Sequence, residues 1–333
     1  MESVLNLAGV RKAGKAIQGI ALRTPVIASR TLSARTGQPV WLKLETLQPT
    51  GAFKIRGAAN ALQRLTASQK KIGVVCCSTG NHGRAVAYVA AKLGVPATVC
   101  VSSLVPENKV TSIKELGADV RRIGASQDDA QKEAHLIAEK TGAIDIPPFD
   151  HPAVIEGQGT IALEVLEDMA DIETILVPLS GGGLIGGIAI AAKSLKPSIR
   201  IIGISMAHGA AMQASLAAGK PVEVEEVSSL ADSLGGGIGL DNRWTFDLCR
   251  TLVDEVVLLS EAEIFAGMRS LLLEDKIVAE GAGSVGVAAI LAGKVKLEGP
   301  TALIISGQNV DMQQLLAVAR SEPVSLDGVM VRG

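Results

Sequence analysis

From residue 72 onward, short β-branched apolar runs alternate with stretches whose apolar positions recur at helical spacing. IGVVCCS (72–78) predicts a buried strand, and NHGRAVAYVAAKLG (81–94) the helix after it, stopped by Gly94. The pattern repeats through ATVCV (97–101), NKVTSIKELG (108–117), DVRRIG (119–124) and the charged helix DDAQKEAHLIAEKTG (128–142). After the break IDIPPFDHP (144–152) it resumes with GTIALEVLEDM (159–169) as a helix and TILVPL (174–179) as a strand. GGGLIGGIAIAAKSL (181–195) opens another helix, and RIIGIS (200–205) and ALIIS (302–306) complete the buried strands. Strands alternating with helices of this length imply βαβ crossovers, so the expected fold is α/β, two doubly wound domains with mainly parallel sheets. The proline pair 147–148 marks the junction between them.

Composition narrows the partners. The chain has 333 residues, 47% hydrophobic but only 2% aromatic, so its core is built from Ala, Val, Ile and Leu. A net charge of −2, with acids and bases interspersed, offers no field for nucleic acid or an anionic membrane surface. The N-terminus lacks the continuous apolar core of a secretory signal, and LIGGIAIAA (184–192) is too short to span a bilayer. Cys76, Cys77, Cys100 and Cys249 form no CxxC pair and read as buried thiols of a cytoplasmic protein.

Candidate chemistry falls at strand ends, where parallel α/β sheets place their ligands. After TILVPL comes SGGGLIGG (180–187), five glycines and a serine at a helix start, which suits a phosphate. Gly181, Gly183 and Gly186 also satisfy GxGxxG, but a nicotinamide site needs an acid at the end of the next strand. That strand ends Ser205-Met206-Ala207-His208, so a nicotinamide-dependent dehydrogenase is a weak alternative. No GxxxxGK[ST] occurs, which excludes a nucleotide-triphosphate loop. Upstream, QPTGAFKIRG (48–57) holds Lys54 between Phe53 and Ile55, whereas Lys43 and Lys71 have ordinary surface contexts. A lysine among apolar neighbours together with a single-phosphate cradle points to pyridoxal 5′-phosphate, which forms a Schiff base with a lysine amine. No His, Cys, Asp or Glu cluster has metal-ligand spacing, so no metal is expected.

QPTGAFKIRGA, STGNHGRA (78–85), GQGTIALE (157–164), PLSGGGLIGG and SGQNVD (306–311) occur in this order. Together they resemble the fold-type II pyridoxal-phosphate enzymes, tryptophan synthase beta-like in fold, and within them the serine/threonine dehydratase and serine racemase group. The resemblance implies a large cofactor-binding domain from residues 1–70 and 151–333 and a small domain from 71–150. It implies that Lys54 forms the Schiff base and removes the α-proton, with Phe53 on one ring face and Asn81 at the ring hydroxyl. Gly181, Gly182, Gly183 and Leu184 would hold the phosphate, and Ser306 would face the pyridine nitrogen. Ser78, Thr79, Asn81 and His82 would receive the substrate carboxylate, His82 through its backbone, and the Thr79 hydroxyl is a candidate proton donor. The implied activity is β-elimination from a small 3-hydroxy amino acid such as L-threonine or L-serine, in a homodimer.

Three further features refine the expectation. Relatives that bind a divalent cation carry an acid where RIIGIS ends, and Ser205 to Ala211 offers none. A serine racemase-like activity is an alternative that Gln127, Asp128, Asp129 and Gln131 disfavour and Thr79 would permit. The glycine-rich SLADSLGGGIGLDNRWTF (229–246) resembles the loop of dehydratases linked to hydroxyectoine breakdown, which implies a hydroxylated diaminobutyrate as an alternative substrate. The chain ends soon after the helical DMQQLLAVARSEP (311–323), so no ligand-sensing domain is expected beyond it.

Overall fold

A computed structural model describes residues 5–78, 80–105, 107–125 and 127–333, without the side chains of 108, 109, 127 and 128. The first strands in chain order are β1 (Val26–Ala28), β2 (Val40–Leu44), β3 (Val74–Cys77), β4 (Ala97–Val101), β5 (Asp119–Arg122) and β6 (Ile144–Asp145). They are followed by β7 (Thr174–Pro178), β8 (Arg200–Met206), β9 (Glu255–Leu259), β10 (Thr301–Ile305) and a hairpin of β11 (Val324–Leu326) and β12 (Val329–Val331). One sheet runs β1-β2-β10-β7-β8-β9 and a second β5-β4-β3-β6. Apart from β1, which is antiparallel to β2, every pairing in these two sheets is parallel.

Helices cover both faces, and the alternation along each strand decides which face a side chain joins. Leu303 and Ile305 of β10 pack with Phe265, Val285 and Val287 on one side, while Ala302 and Ile304 pack with Ile185 and Ile188 on the other. In β3, Val74 and Cys76 face the Asn81–Leu93 helix, whereas Val75 and Cys77 join Cys100, Ala130 and Ala134. The adjacent cysteines therefore lie on opposite faces, and all four cysteines are buried and outside any disulfide.

Six of the twelve strands described, β3, β4, β5, β7, β8 and β10, fall where the apolar runs predict them; VWLKL (40–44) of β2 is additional, as are β1, β9, the β11–β12 hairpin and β6, which lies inside the stretch read as a break. In VWLKL the structure corrects the reading of Lys43, which is fully buried rather than on the surface. The helix predicted from Gly159 begins at Pro152. Its GQG sequence serves packing: a Cβ on Gly157 would stand 2.5 Å from the Arg56 carbonyl, so only glycine lets the Lys54–Gln63 helix come this close.

Parallel register aligns the carboxyl ends of the central strands. Ile305 pairs with Leu44, and Pro178 with Ile204, which brings the segments after β2, β7, β8 and β10 to one edge. In the second sheet Val75 pairs with Asp145, so Ser78 after β3 and Ile146 after β6 also leave from a common edge.

Candidate active site

Lys54 opens the Lys54–Gln63 helix directly after a stretch held against the end of β10. The Phe53 N–H donates to the Ser306 carbonyl at 3.0 Å, the Gln308 N–H to the Gly51 carbonyl at 2.9 Å, and Ala52 bridges Gly307. Phe53 and Ser306 are thus fixed to each other by backbone, with Ser306 buried. The Lys54 ammonium lies 5.4 Å from the Phe53 ring centre and donates to the Pro148 carbonyl at 2.7 Å. Loss of hydration lowers its pKa to about 8, opposed by the Glu280 carboxylate.

Two residues on, Arg56 anchors this helix in a buried charge cluster. Its Nε and Nη2 donate to Glu45 at 2.8 Å each, and Nη1 and Nη2 donate to Glu164 at 2.6 and 2.8 Å. Thr160 takes the second Nη1 hydrogen at 3.0 Å, and the Leu22 carbonyl shares the Nη2 hydrogens at 3.1 Å. Lys43 completes the cluster, donating to Glu164 and the Thr24 carbonyl. Burial by itself would lower Arg56, but Glu45 and Glu164 hold it above its ordinary value. Burial lowers Lys43 despite Glu164. The sequence reading missed this cluster, whose only visible signal is an arginine two positions after the candidate lysine.

The glycine loop sits between β7 and the Gly183–Leu195 helix. Gly182 has φ +85°, and a Cβ there would meet Met212, Thr245 and Cys249 at 2.8–3.0 Å. Gly181 and Gly183 lie against Phe149, the neighbour of the Pro148 that accepts from Lys54. The Gly186 N–H bonds the Gly182 carbonyl at 2.8 Å, and the amides before it have no carbonyl one turn back to take them. Such a set of small residues and N–H donors fits a phosphate. The Pro147–His151 segment is itself tethered: the Asp150 carboxylate accepts the N–H groups of Arg243, Trp244 and Thr245 at 2.7–2.9 Å.

From the second sheet come Ser78, Asn81 and His82 at the start of the 13-residue Asn81–Leu93 helix. The Gly80 N–H donates to the Ser78 hydroxyl at 3.3 Å. Thr79 lies outside the described residues. The His82 imidazole is buried, shares a hydrogen bond of 2.7 Å with the Ile146 carbonyl, and is lowered to about 3 by burial and by Lys54. It stays neutral and ties this loop to the strand beside it. The Asn81 amide donates to Glu280 at 2.8 Å and accepts from Asn309 at 2.6 Å. Glu280 was not picked out by sequence reasoning. It precedes GAGSVG with no partner of its own in sequence, and only the fold sets it beside Asn81.

The second sheet therefore contributes the Asn81 loop and the first sheet the amine, glycine loop and Ser306. The geometry defines an α/β protein with a buried amine and a glycine loop on adjoining strand ends. Its residues 17–307 match the family described as pyridoxal-phosphate dependent enzymes, and the chain belongs to that family. Its cofactor is pyridoxal phosphate. A Sinorhizobium fredii protein named provisionally as a threonine dehydratase is 52% identical over 311 residues, covering 93% of this chain and 94% of that one. The L-threonine ammonia-lyase of Thermotoga maritima is 41% identical over 313 residues, 94% of this chain and 77% of that one. Among solved structures, maize serine racemase superposes with a TM-score of 0.90 at 36% identity, covering 94% of this chain and 96% of that one.

Proposed function

We propose that this chain removes ammonia from a small 3-hydroxy amino acid, L-threonine or L-serine, with pyridoxal phosphate joined to Lys54. The observation that carries the reading is the Lys54 amine itself, lowered to about 8 and surrounded by Phe53, Pro148 and the Glu280 carboxylate. The names of two relatives, a threonine dehydratase and an L-threonine ammonia-lyase, support it. When bound, the cofactor supplies an electrophilic carbonyl for the substrate amine and an electron sink for the α-carbon.

The protein's own groups do the rest. N–H groups of Gly181, Gly182, Gly183 and Leu184 would hold the phosphate, Phe53 would cover one ring face, and the neutral Ser306 hydroxyl would meet the ring nitrogen. Asn81 would take the ring oxygen. Ser78, Thr79, Asn81 and His82 receive the substrate carboxylate at the amino end of their helix, where backbone N–H groups favour an anion. Once the substrate amine has replaced it, Lys54 Nζ would accept the α-proton while the β C–O bond breaks, and the hydroxyl leaves as water once protonated. The enamine so formed takes up a proton at its β-carbon to become an imine, and a second water hydrolyses that C=N bond, so a 2-oxo acid and ammonia form with no net redox change.

Residues 1–70 with 151–333 act as the larger unit and 71–150 as the smaller, in a homodimer of the cytoplasm; sedimentation of the purified protein tests the dimer. Ammonia release from a panel of L-threonine, L-serine and a hydroxylated diaminobutyrate, with the cofactor supplied, tests the reaction. Release from threonine or serine is the expected result, and none from any member would overturn the reading. The 36% identity to a serine racemase favours one second reading, and a chiral assay on the same samples decides it.

A further inference from the structure

The hydrogen bonds around Asn81 have a fixed polarity. The Asn309 amide nitrogen donates at 2.9 Å to the Thr50 carbonyl, which can only accept, and at 2.6 Å to the Asn81 side-chain oxygen. Asn81 must therefore present its oxygen to Asn309 and its nitrogen to Glu280, where Oε1 accepts at 2.8 Å. Among the described residues the Asn81 amide makes no other hydrogen bond, which leaves it one unused N–H. The carboxylate at the far end is buried, 4% exposed, and closely approached: a Cβ on Gly307 would be 2.8 Å from its Oε1. Asn309 through its N–H and Ser233 through its hydroxyl also hydrogen-bond to Glu280.

We propose that Glu280 is a positioning residue for the cofactor, acting through Asn81 so that only an N–H donor meets the ring oxygen, which favours that oxygen ionised. The inference rests on the reading that Asn81 faces the ring oxygen. A donor with no acceptor beside it stabilises an oxyanion and leaves a phenolic proton without a partner. Burial pushes the Glu280 carboxyl up to about 7, with Asp232 adding to the rise and Asn81, Ser233 and Asn309 opposing it. The charged groups facing it are Asp232 from the turn Asp232–Leu234 and Lys54 from its helix start. A proton on Glu280 places a second donor against the Asn81 nitrogen and breaks the chain of polarity. Ionisation of the ring oxygen should then follow the Glu280 titration.

The test is the visible absorbance of the reconstituted protein as a function of pH, read with the cofactor dissociation constant. The unsubstituted protein is expected to show a spectral step near neutral pH. Glu280→Gln keeps the size and an acceptor but cannot titrate, so the step should vanish or move by more than one pH unit, with cofactor binding weakened about tenfold. Asn309→Ala removes the exposed end of the chain without disturbing the core, and should shift the spectrum in the same direction. Circular dichroism and the thermal midpoint check that both variants fold. Normal cofactor uptake with the step unchanged in both variants overturns this inference alone. Absence of any cofactor uptake in the unsubstituted protein overturns the assignment of Lys54 as well.

Discussion

Replacing Arg56 by methionine isolates what the buried cluster contributes. The cluster holds two cations, Lys43 and Arg56, and two carboxylates, Glu45 and Glu164, and all but Glu164 are completely shielded from water. Arg56→Met deletes every guanidinium bond to Glu45 and Glu164 and leaves one uncompensated negative charge in the interior. Breaking a buried pair by removing one partner costs about 3–5 kcal/mol. At roughly 2 °C per kcal/mol for a large chain, the thermal midpoint should fall by about 6–10 °C. The pH dependence gives a sharper signature. Without Arg56, burial raises the folded-state pKa of Glu45 above its unfolded value, so its proton stabilises the folded state at low pH and is lost as pH rises. The deficit should therefore shrink between pH 8 and pH 5. In the double variant Arg56→Met/Glu45→Gln the loss should be smaller than in the single, because the stranded charge is gone. Differential scanning calorimetry across pH measures all of this. A deficit below about 1 kcal/mol, or one equal at both pH values, would refute the argument.

Three further outcomes follow from the site geometry. Gly182→Ala forces a Cβ onto a backbone at φ +85°, costing about 1–2 kcal/mol before Met212 and Cys249 are displaced, and cofactor affinity by fluorescence titration should drop at least tenfold. Capture of pyridoxal phosphate needs the neutral Lys54 amine, whose pKa is lowered to about 8; stopped-flow capture rates should rise about tenfold per unit up to that pH and then level. A midpoint near that of a solvated lysine would contradict the burial. Asp150→Ala leaves three backbone N–H groups of residues 243–245 without their acceptor, and should cost about 2 kcal/mol in urea unfolding while loosening the segment against the glycine loop.

Local patterns carried the centre of each sheet because strands such as β3, β7 and β10 are buried on both faces and their apolar runs stand out. The exceptions have physical reasons. VWLKL contains a lysine, which sequence reads as solvent-facing, yet Glu164 from a helix 121 residues away neutralises it. Lys54 and the glycine loop were legible because each needs a local arrangement, a helix start or a positive φ, that leaves a mark in neighbouring residues. GQGTIALE was legible as a motif but not as a reason, since Gly157 is required by contact with another helix. Glu280 left no mark, because its role depends on a side chain 199 positions earlier. Residues defined by long-range pairing carry no periodicity, so a single sequence cannot separate them from ordinary surface acids.

This division has a consequence for how Lys54 is tuned. A guanidinium begins only two residues from the reactive amine, and unpaired it would suppress the ammonium by like-charge repulsion. Burial lowers the Lys54 pKa and the Glu280 carboxylate raises it. The two carboxylates paired with Arg56 and Lys43 balance the cluster's charge, so its part here is to fix the helix. Glu280, which also accepts from Asn81, would act on the amine and, through Asn81, on the ring oxygen of a bound cofactor. Glu280→Gln should therefore lower the pH midpoint of the Lys54 capture reaction in the same preparation in which it removes the spectral step, whereas Arg56→Lys, which preserves the cluster's charge, should leave that midpoint where it is in the unsubstituted protein.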